Sequence, residues 1–256
     1  MKNSIRNLII TAALVAGIFG ISNAADVSGE FSSDVTLDGA TAFSSPYTGL
    51  NISGDGWELS TNLSDGNVNV EEAKYSWAVS DAITATFGRQ AEPYGIAWGP
   101  HRPSNNSFVS APRDHSISEG VGISTSAYGV GANAFYGDDN YWAARASYGV
   151  SAFWINSTVG LSVNSDDAQL VDVSTDGSAL GIPYETSFEY DAANDGAYWL
   201  RGVVTPDFAK GAFGLIGYNS DEEVLSGVGY NCSDNVRISS ELSGDGDTVI
   251  RASYSF

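Results

Sequence analysis

The sequence predicts an all-β chain, a transmembrane antiparallel β-barrel of about sixteen strands, and three observations carry that prediction. Apolar and polar residues alternate with a period of two in one short segment after another from Asp26 to Phe256. Beyond the N-terminal stretch, no apolar run recurs at helical spacing for three turns. Large aromatic residues gather near the ends of the alternating segments, where a membrane-spanning strand meets the lipid–water interface.

The N-terminus reads separately. Lys2 and Arg6 precede an apolar run from Leu8 to Ile21 and the small-residue stretch Ser22-Asn23-Ala24. This is the pattern of a secretory signal over residues 1–24, leaving one domain over 25–256. The run is short for a spanning helix, which needs about 20 apolar residues. Without Lys2 and Arg6, nine basic residues remain against 31 acidic ones, a net charge of 9 − 31 = −22. Such a balance argues against nucleic acid and against polybasic docking to membranes. Cys232 is the single cysteine, so no internal disulfide framework exists.

The last segment sets the phase. Thr248, Ile250, Ala252, Tyr254 and Phe256 share one face, and Asp247, Arg251, Ser253 and Ser255 share the other. Going back to the start, strands are expected at 26–37, 48–53, 57–63, 68–79 and 82–89, then at 119–126, 129–136, 141–149, 153–163 and 168–175. The series closes with 183–190, 197–204, 211–218, 223–230, 235–242 and 247–256. Turns rich in Asp and Gly separate many of them, as in Ser64-Asp-Gly-Asn and Ser243-Gly-Asp-Gly. No repeat with a period of 20 to 50 residues and no shift in composition divides the chain.

A barrel in lipid fits better than a soluble sandwich. Strands of about 9–11 residues with one apolar face suffice to cross a bilayer when tilted, and closure satisfies every backbone donor and acceptor. A sandwich would place its aromatics mid-strand; here Tyr75, Trp77, Tyr136, Tyr190, Tyr218, Tyr230 and Tyr254 stand near strand ends. Turns after odd-numbered strands, the long loop aside, hold thirteen acidic residues against five after even-numbered ones, which suits a barrel with two different rims.

One stretch breaks the pattern. Residues 90–118 lack alternation and hold both histidines, His101 and His115, with Arg102, Arg113, Glu92 and Asp114. A loop of that length in a compact β-protein usually has a function. Gly88-Arg89-Gln90 at the end of the fifth strand, the long loop after it, Pro93-Tyr94-Gly95 near the loop's start and the terminal Tyr254-Ser255-Phe256 together resemble the trimeric general porins of Gram-negative outer membranes. The resemblance implies a homotrimer forming a channel for passive diffusion. It implies that the loop folds into the lumen and constricts it, and that the assembly machinery reads the strand ending in Phe256. The short segment Ser64–Asn67 departs from that family, whose second external loop latches onto a neighbouring subunit.

If the apolar faces meet lipid, the opposite faces line water. Glu30, Asp34, Glu58, Glu72, Asp172, Glu185, Glu189 and Glu241 are then lumenal acids, and Lys74, Arg145, Arg201, Arg237 and Arg251 lumenal bases. The constriction is expected from Glu92, Arg102, Arg113, Asp114 and Glu119, with Arg201, Arg237 and Arg251 facing the loop's acids. Arg89 falls in the lipid-facing phase and is expected at the rim. The excess of acids predicts a weak preference for cations. No catalytic set, cofactor or metal site is expected: the loop histidines accompany no glycine-flanked serine and match no standard ligand spacing. The expected partners are outer-membrane lipid and lipopolysaccharide, small hydrophilic solutes and ions. The alternatives are a structural or adhesive barrel with a plugged lumen and a secreted sandwich that binds a ligand.

Overall fold

In the computed structural model, every strand pairs antiparallel with its neighbours and the last pairs back onto the first. The structure describes residues 26–37, 41–43, 47–64, 67–95, 117–193, 195–242 and 248–256. The strands are β1 (Asp26–Leu37), β2 (Thr41–Phe43), β3 (Tyr47–Gly54), β4 (Trp57–Ser64), β5 (Asn67–Ser80), β6 (Ile83–Ala91), β7 (Ile117–Ala127), β8 (Val130–Gly137) and β9 (Trp142–Ala152). They continue as β10 (Ile155–Asn164), β11 (Gln169–Ala179), β12 (Ile182–Asp191), β13 (Ala197–Val204), β14 (Ala212–Asn219), β15 (Val224–Asn231), β16 (Val236–Leu242) and β17 (Thr248–Ser255). A single 3₁₀ turn, Asp138–Asn140, is the only helical element among the described residues.

Among the described residues, seventeen strands make sixteen staves. β1 pairs with β2 through Leu37↔Thr41 and, further along, with β3 through Ser32↔Tyr47, so β2 and β3 are two pieces of one stave. The sequence pattern missed β2 because three residues are too few to show a period. At the seam, Gly29 and Phe256 exchange both backbone hydrogen bonds, each at 3.0 Å. Gly29 is required there, since a Cβ would stand 2.6 Å from the Phe256 ring.

The two faces differ as the alternation predicts. Outward residues are large and exposed: Val159 at 48%, Ile216 at 59% and Val228 at 65%. On the inward face of the same wall, Ser162 and Asp172 are both at 0%. Exposed apolar faces on a closed ladder exclude the sandwich, which would press them together.

Two details of register bear on the lumen. The β6–β7 ladder runs on through Arg89↔Glu119, Gln90↔Ser118 and Ala91↔Ile117, so the two strands reach two residues further into the 90–118 stretch on each side. The β4–β5 ladder shifts between Ser60 and Thr61, skipping Glu71. A bulge of this kind re-aims a side chain, and Glu71 accordingly bonds Ser60 and Asn62 on the inward face.

Candidate functional site: the lumen and the stem of the long loop

The Gly88-Arg89-Gln90 triplet has a physical reason at each position. Gly88 sits at φ +113, and a Cβ there would lie 2.3 Å from the Ala73 carbonyl oxygen. Arg89 follows on the outward face, donating to the Val70 carbonyl at 3.0 Å. Gln90 is buried on the inward face and donates to the carbonyls of Thr86 and Gly120, each at 3.4 Å. Gly122 leaves room for that amide, because its Cβ would meet Gln90 Oε1 at 2.8 Å.

From Glu92 the chain turns inward. Glu92 is buried and accepts hydrogen bonds from the Ser118 hydroxyl and the Tyr141 phenol. Asn164 Nδ2 donates in turn to the Tyr141 oxygen at 3.3 Å. Burial, followed by the bond to Glu92, raises the Tyr141 phenol above its ordinary pKa. Tyr94 packs with Ala168 and Leu170 in a small buried cluster. The Gly95 N–H donates to Ser162 Oγ at 3.1 Å, 67 residues away in the chain. At Gly95, φ is +79 and a Cβ would stand 2.7 Å from Glu189 Oε1. Ser162, Leu170 and Glu189 are inward residues of β10, β11 and β12, so the stem lies inside the barrel as far as Gly95.

Around the wall the lining falls into three sectors. On β4 and β5, Lys74 Nζ lies 3.1 Å from Glu58 and 2.5 Å from Glu72, with Glu71 beside them on the bulge. On β9 to β11, Arg145 grips Asp172 with two nitrogens, Nη2 at 2.6 Å and Nε at 3.2 Å. Gly160 lies beneath that pair, and a Cβ there would come within 2.5 Å of both side chains. On β13 to β15 the inward face turns apolar: Trp199, Val203, Phe213, Leu215 and Leu225 form one buried cluster. Arg237 stands 5.4 Å over the Phe213 ring, and Gly229 makes space for that ring.

The residues expected at the site divide accordingly. Glu72, Lys74, Arg145, Arg201, Arg237 and Arg251 all stand on the inward side, and Arg201 and Arg251 are buried. Arg201 feels Glu185 and Glu241 on the wall, and Arg237 feels Glu30. Glu92 is turned instead toward Ser118 and Tyr141. Glu119 departs from expectation: it is exposed in the phase of Val121 and Ile123, in register with Arg89 at the rim. Its two-residue spacing from Val121 and Ile123 fixes that phase. Arg102, Arg113, Asp114 and the two histidines lie outside the described residues, as does the segment 1–24. Among the described residues, no group of three metal-ligating side chains converges.

Sequence reasoning missed Ser118, Tyr141, Ser162 and Glu71. Single hydroxyls carry no spacing signal, and Glu71 is visible only once the bulge is known. The apolar lumen sector does leave a trace in Ala197-Tyr-Trp-Leu-Arg-Gly-Val-Val, where apolar residues occupy both phases.

The geometry has relatives among solved structures. The chain is similar to Rhodobacter blastica porin, represented by several substituted variants, one of which gives a TM-score of 0.66 at 14% identity over 91% of this chain and 99% of that one. It is also similar to a loop-deletion mutant of OmpT, an outer membrane protein of Vibrio cholerae, with a TM-score of 0.63 at 14% identity, 91% of this chain and 99% of that one. No family model matches the sequence, and no curated protein matches it. The fold is that of the porin-type, sixteen-stave outer-membrane barrel. With an apolar exterior and no open edge, it is a multi-pass β-barrel of the outer membrane.

Proposed function

We propose that the protein is an outer-membrane porin, a water-filled channel through which small hydrophilic solutes and ions diffuse passively. One observation supports this above the others. Apart from Arg89 and Glu119 at the rim, the ion pairs of the closed barrel stand on its inward face, and the stem of the long loop bends into that lumen at Glu92 to Gly95. Catalysis has no part in this reading, and neither does a cofactor. Acids outnumber bases on the lumenal face, which favours cations weakly. Loop residues Arg102, Arg113 and Asp114 would complete the constriction with Glu92. Lipopolysaccharide at the outer rim, a homotrimeric assembly and recognition of the Phe256 strand by the assembly machinery belong to the same reading.

A second reading has its own observation. The apolar cluster on β13 to β15 and the inward stem both reduce the open section, as a plugged structural barrel would require. Single-channel recording of purified protein in planar bilayers decides between them. A porin gives discrete conductance steps and, in a salt gradient, a reversal potential of cation-selective sign. A plugged barrel gives no steps.

A further inference from the structure

The rim at which β1 begins and β17 ends is divided into two halves. Four consecutive hairpin turns end in large apolar side chains that are almost wholly exposed: Tyr128 at 101%, Phe153 at 97% with Trp154 at 67%, Leu180 at 102% and Phe208 at 86%. The other three turns of this rim carry Asp55, Asp81 and Asp234, and the Phe208 turn holds exposed Asp207 and Lys210 on either side of its ring. Three of the apolar tips occupy left-handed backbone, Tyr128 at φ +53, Phe153 at φ +57 and Leu180 at φ +54. Glycine, asparagine and aspartate hold such turn positions without steric cost, and bulky residues do not.

The three turns also share a pattern below the scale of the repeats sought in the sequence. Each reads Ser-Ala, the bulky tip, one residue and then Val or Ile: Ser126-Ala-Tyr-Gly-Val130, Ser151-Ala-Phe-Trp-Ile155 and Ser178-Ala-Leu-Gly-Ile182. They lie in stretches without a charged residue, 120–137, 146–165 and 177–184. The tips continue the lipid-facing wall, whose outward residues beside them, Val130, Tyr148 and Val150, are exposed and apolar too.

We infer that the turn tips Tyr128, Phe153, Trp154, Leu180 and Phe208 are seated in the phospholipid interface of the leaflet at that rim, while the rim at Asp55, Asp81 and Asp234 stands in water. Tyr and Trp favour that zone because a ring buries its body and keeps its polar end wet. The turns of Tyr128, Phe153 and Leu180 bring no charge to desolvate on entering it, and at Phe208 the ring enters while Asp207 and Lys210 stay on the wet side. The barrel is therefore anchored obliquely, deeper on the β7 to β14 side. A bilayer explains the chemistry better than a protein partner, since the Tyr128, Phe153 and Leu180 tips run on without a charged border from the lipid-facing wall.

The inference rests on the barrel lying in a bilayer, so the test carries its own control. In a Cys232→Ser background, single cysteines replace Tyr128, Phe153, Leu180 and Phe208, then Asp55, Asp81 and Asp234, and finally the mid-wall residues Val159 and Ile216. Each is spin-labelled in phosphatidylethanolamine–phosphatidylglycerol vesicles, and its collision rates with oxygen and with a water-soluble nickel chelate are compared. Labels at the four apolar tips should show an oxygen-to-nickel ratio several-fold above those at the three aspartate turns, approaching the mid-wall labels. Equal, nickel-dominated values at all seven turns, with 159 and 216 still oxygen-dominated, would overturn the oblique anchor and leave the barrel in lipid. Nickel-dominated values at 159 and 216 as well would overturn both. All the labelled turn positions are exposed, so the label disturbs no buried side chain.

Discussion

The backbone N–H of Gly95 donates to the hydroxyl oxygen of Ser162 across the inside of the barrel, at 3.1 Å. Ser162 has no exposure, so its hydroxyl serves the stem and not the solvent. Ser162→Ala leaves a buried N–H without its acceptor, a loss of about 1–3 kcal/mol. The stem is expected to move, giving noisier single-channel currents and a changed mean conductance. Gly95→Val acts more strongly, since φ is +79 and Glu189 Oε1 stands in the way of a Cβ. Conductance unchanged in both variants would show that the stem does not govern the passage.

Arg145 and Asp172 form the two-point ion pair of the lumen wall, with the carboxylate fully buried. Arg145→Gln strands that charge, and breaking a buried pair in this way costs about 3–5 kcal/mol. The urea midpoint of the refolded barrel should fall clearly. The double variant Arg145→Gln with Asp172→Asn should recover much of the loss. A single variant as stable as the parent would mean that water already solvates Asp172.

Much of this architecture is legible in the alternation, because inward and outward faces differ in one property that a period of two displays. The phase of Arg145, Arg201, Arg237 and Arg251 follows directly, as does the rim position of Arg89. What stays hidden depends on contacts between segments remote in the chain. Ser162 looks like any strand serine until Gly95 arrives from 67 residues away, and Tyr141 looks like a girdle aromatic until Glu92 reaches it. Glu119 is misplaced for a simpler reason. Its place at the end of the long loop sets it among the loop's acids, whereas its parity with Val121 and Ile123 and its pairing with the outward Arg89 put it on the other face.

Lys74 lies between Glu58 and Glu72, and Glu71 stands next to them on the bulge. Its ammonium offsets part of a local acid excess, and all of these side chains are only part-buried, so the effect is on passing ions more than on stability. Lys74→Gln is expected to shift the reversal potential in a potassium chloride gradient further toward cations. Glu58→Gln should shift it the other way. Salt weakens both effects, because screening shortens the reach of the field. A reversal potential that ignores both substitutions would place this sector off the conduction path.

Tyr141 couples the stem to alkaline pH. Its pKa is raised above the ordinary 10.0, first by burial and then by the bond to Glu92. The folded state therefore holds this proton more tightly than the unfolded chain does, and a group shifted in that direction stabilises fully below the unfolded pKa. Its contribution fades as pH climbs from about 10 through the higher folded value. Tyr141→Phe keeps the ring, which lies 6.5 Å from that of Phe135, and removes only the hydroxyl. Loss of a hydrogen bond to a carboxylate costs about 1.5–3 kcal/mol at neutral pH. Urea unfolding in detergent or lipid, repeated in steps above about pH 10, should show the parent losing stability faster than Tyr141→Phe, so that the two curves converge. Parallel curves over that range would mean that the phenol titrates alike in the folded and unfolded chains, and that Glu92 is held by Ser118 alone.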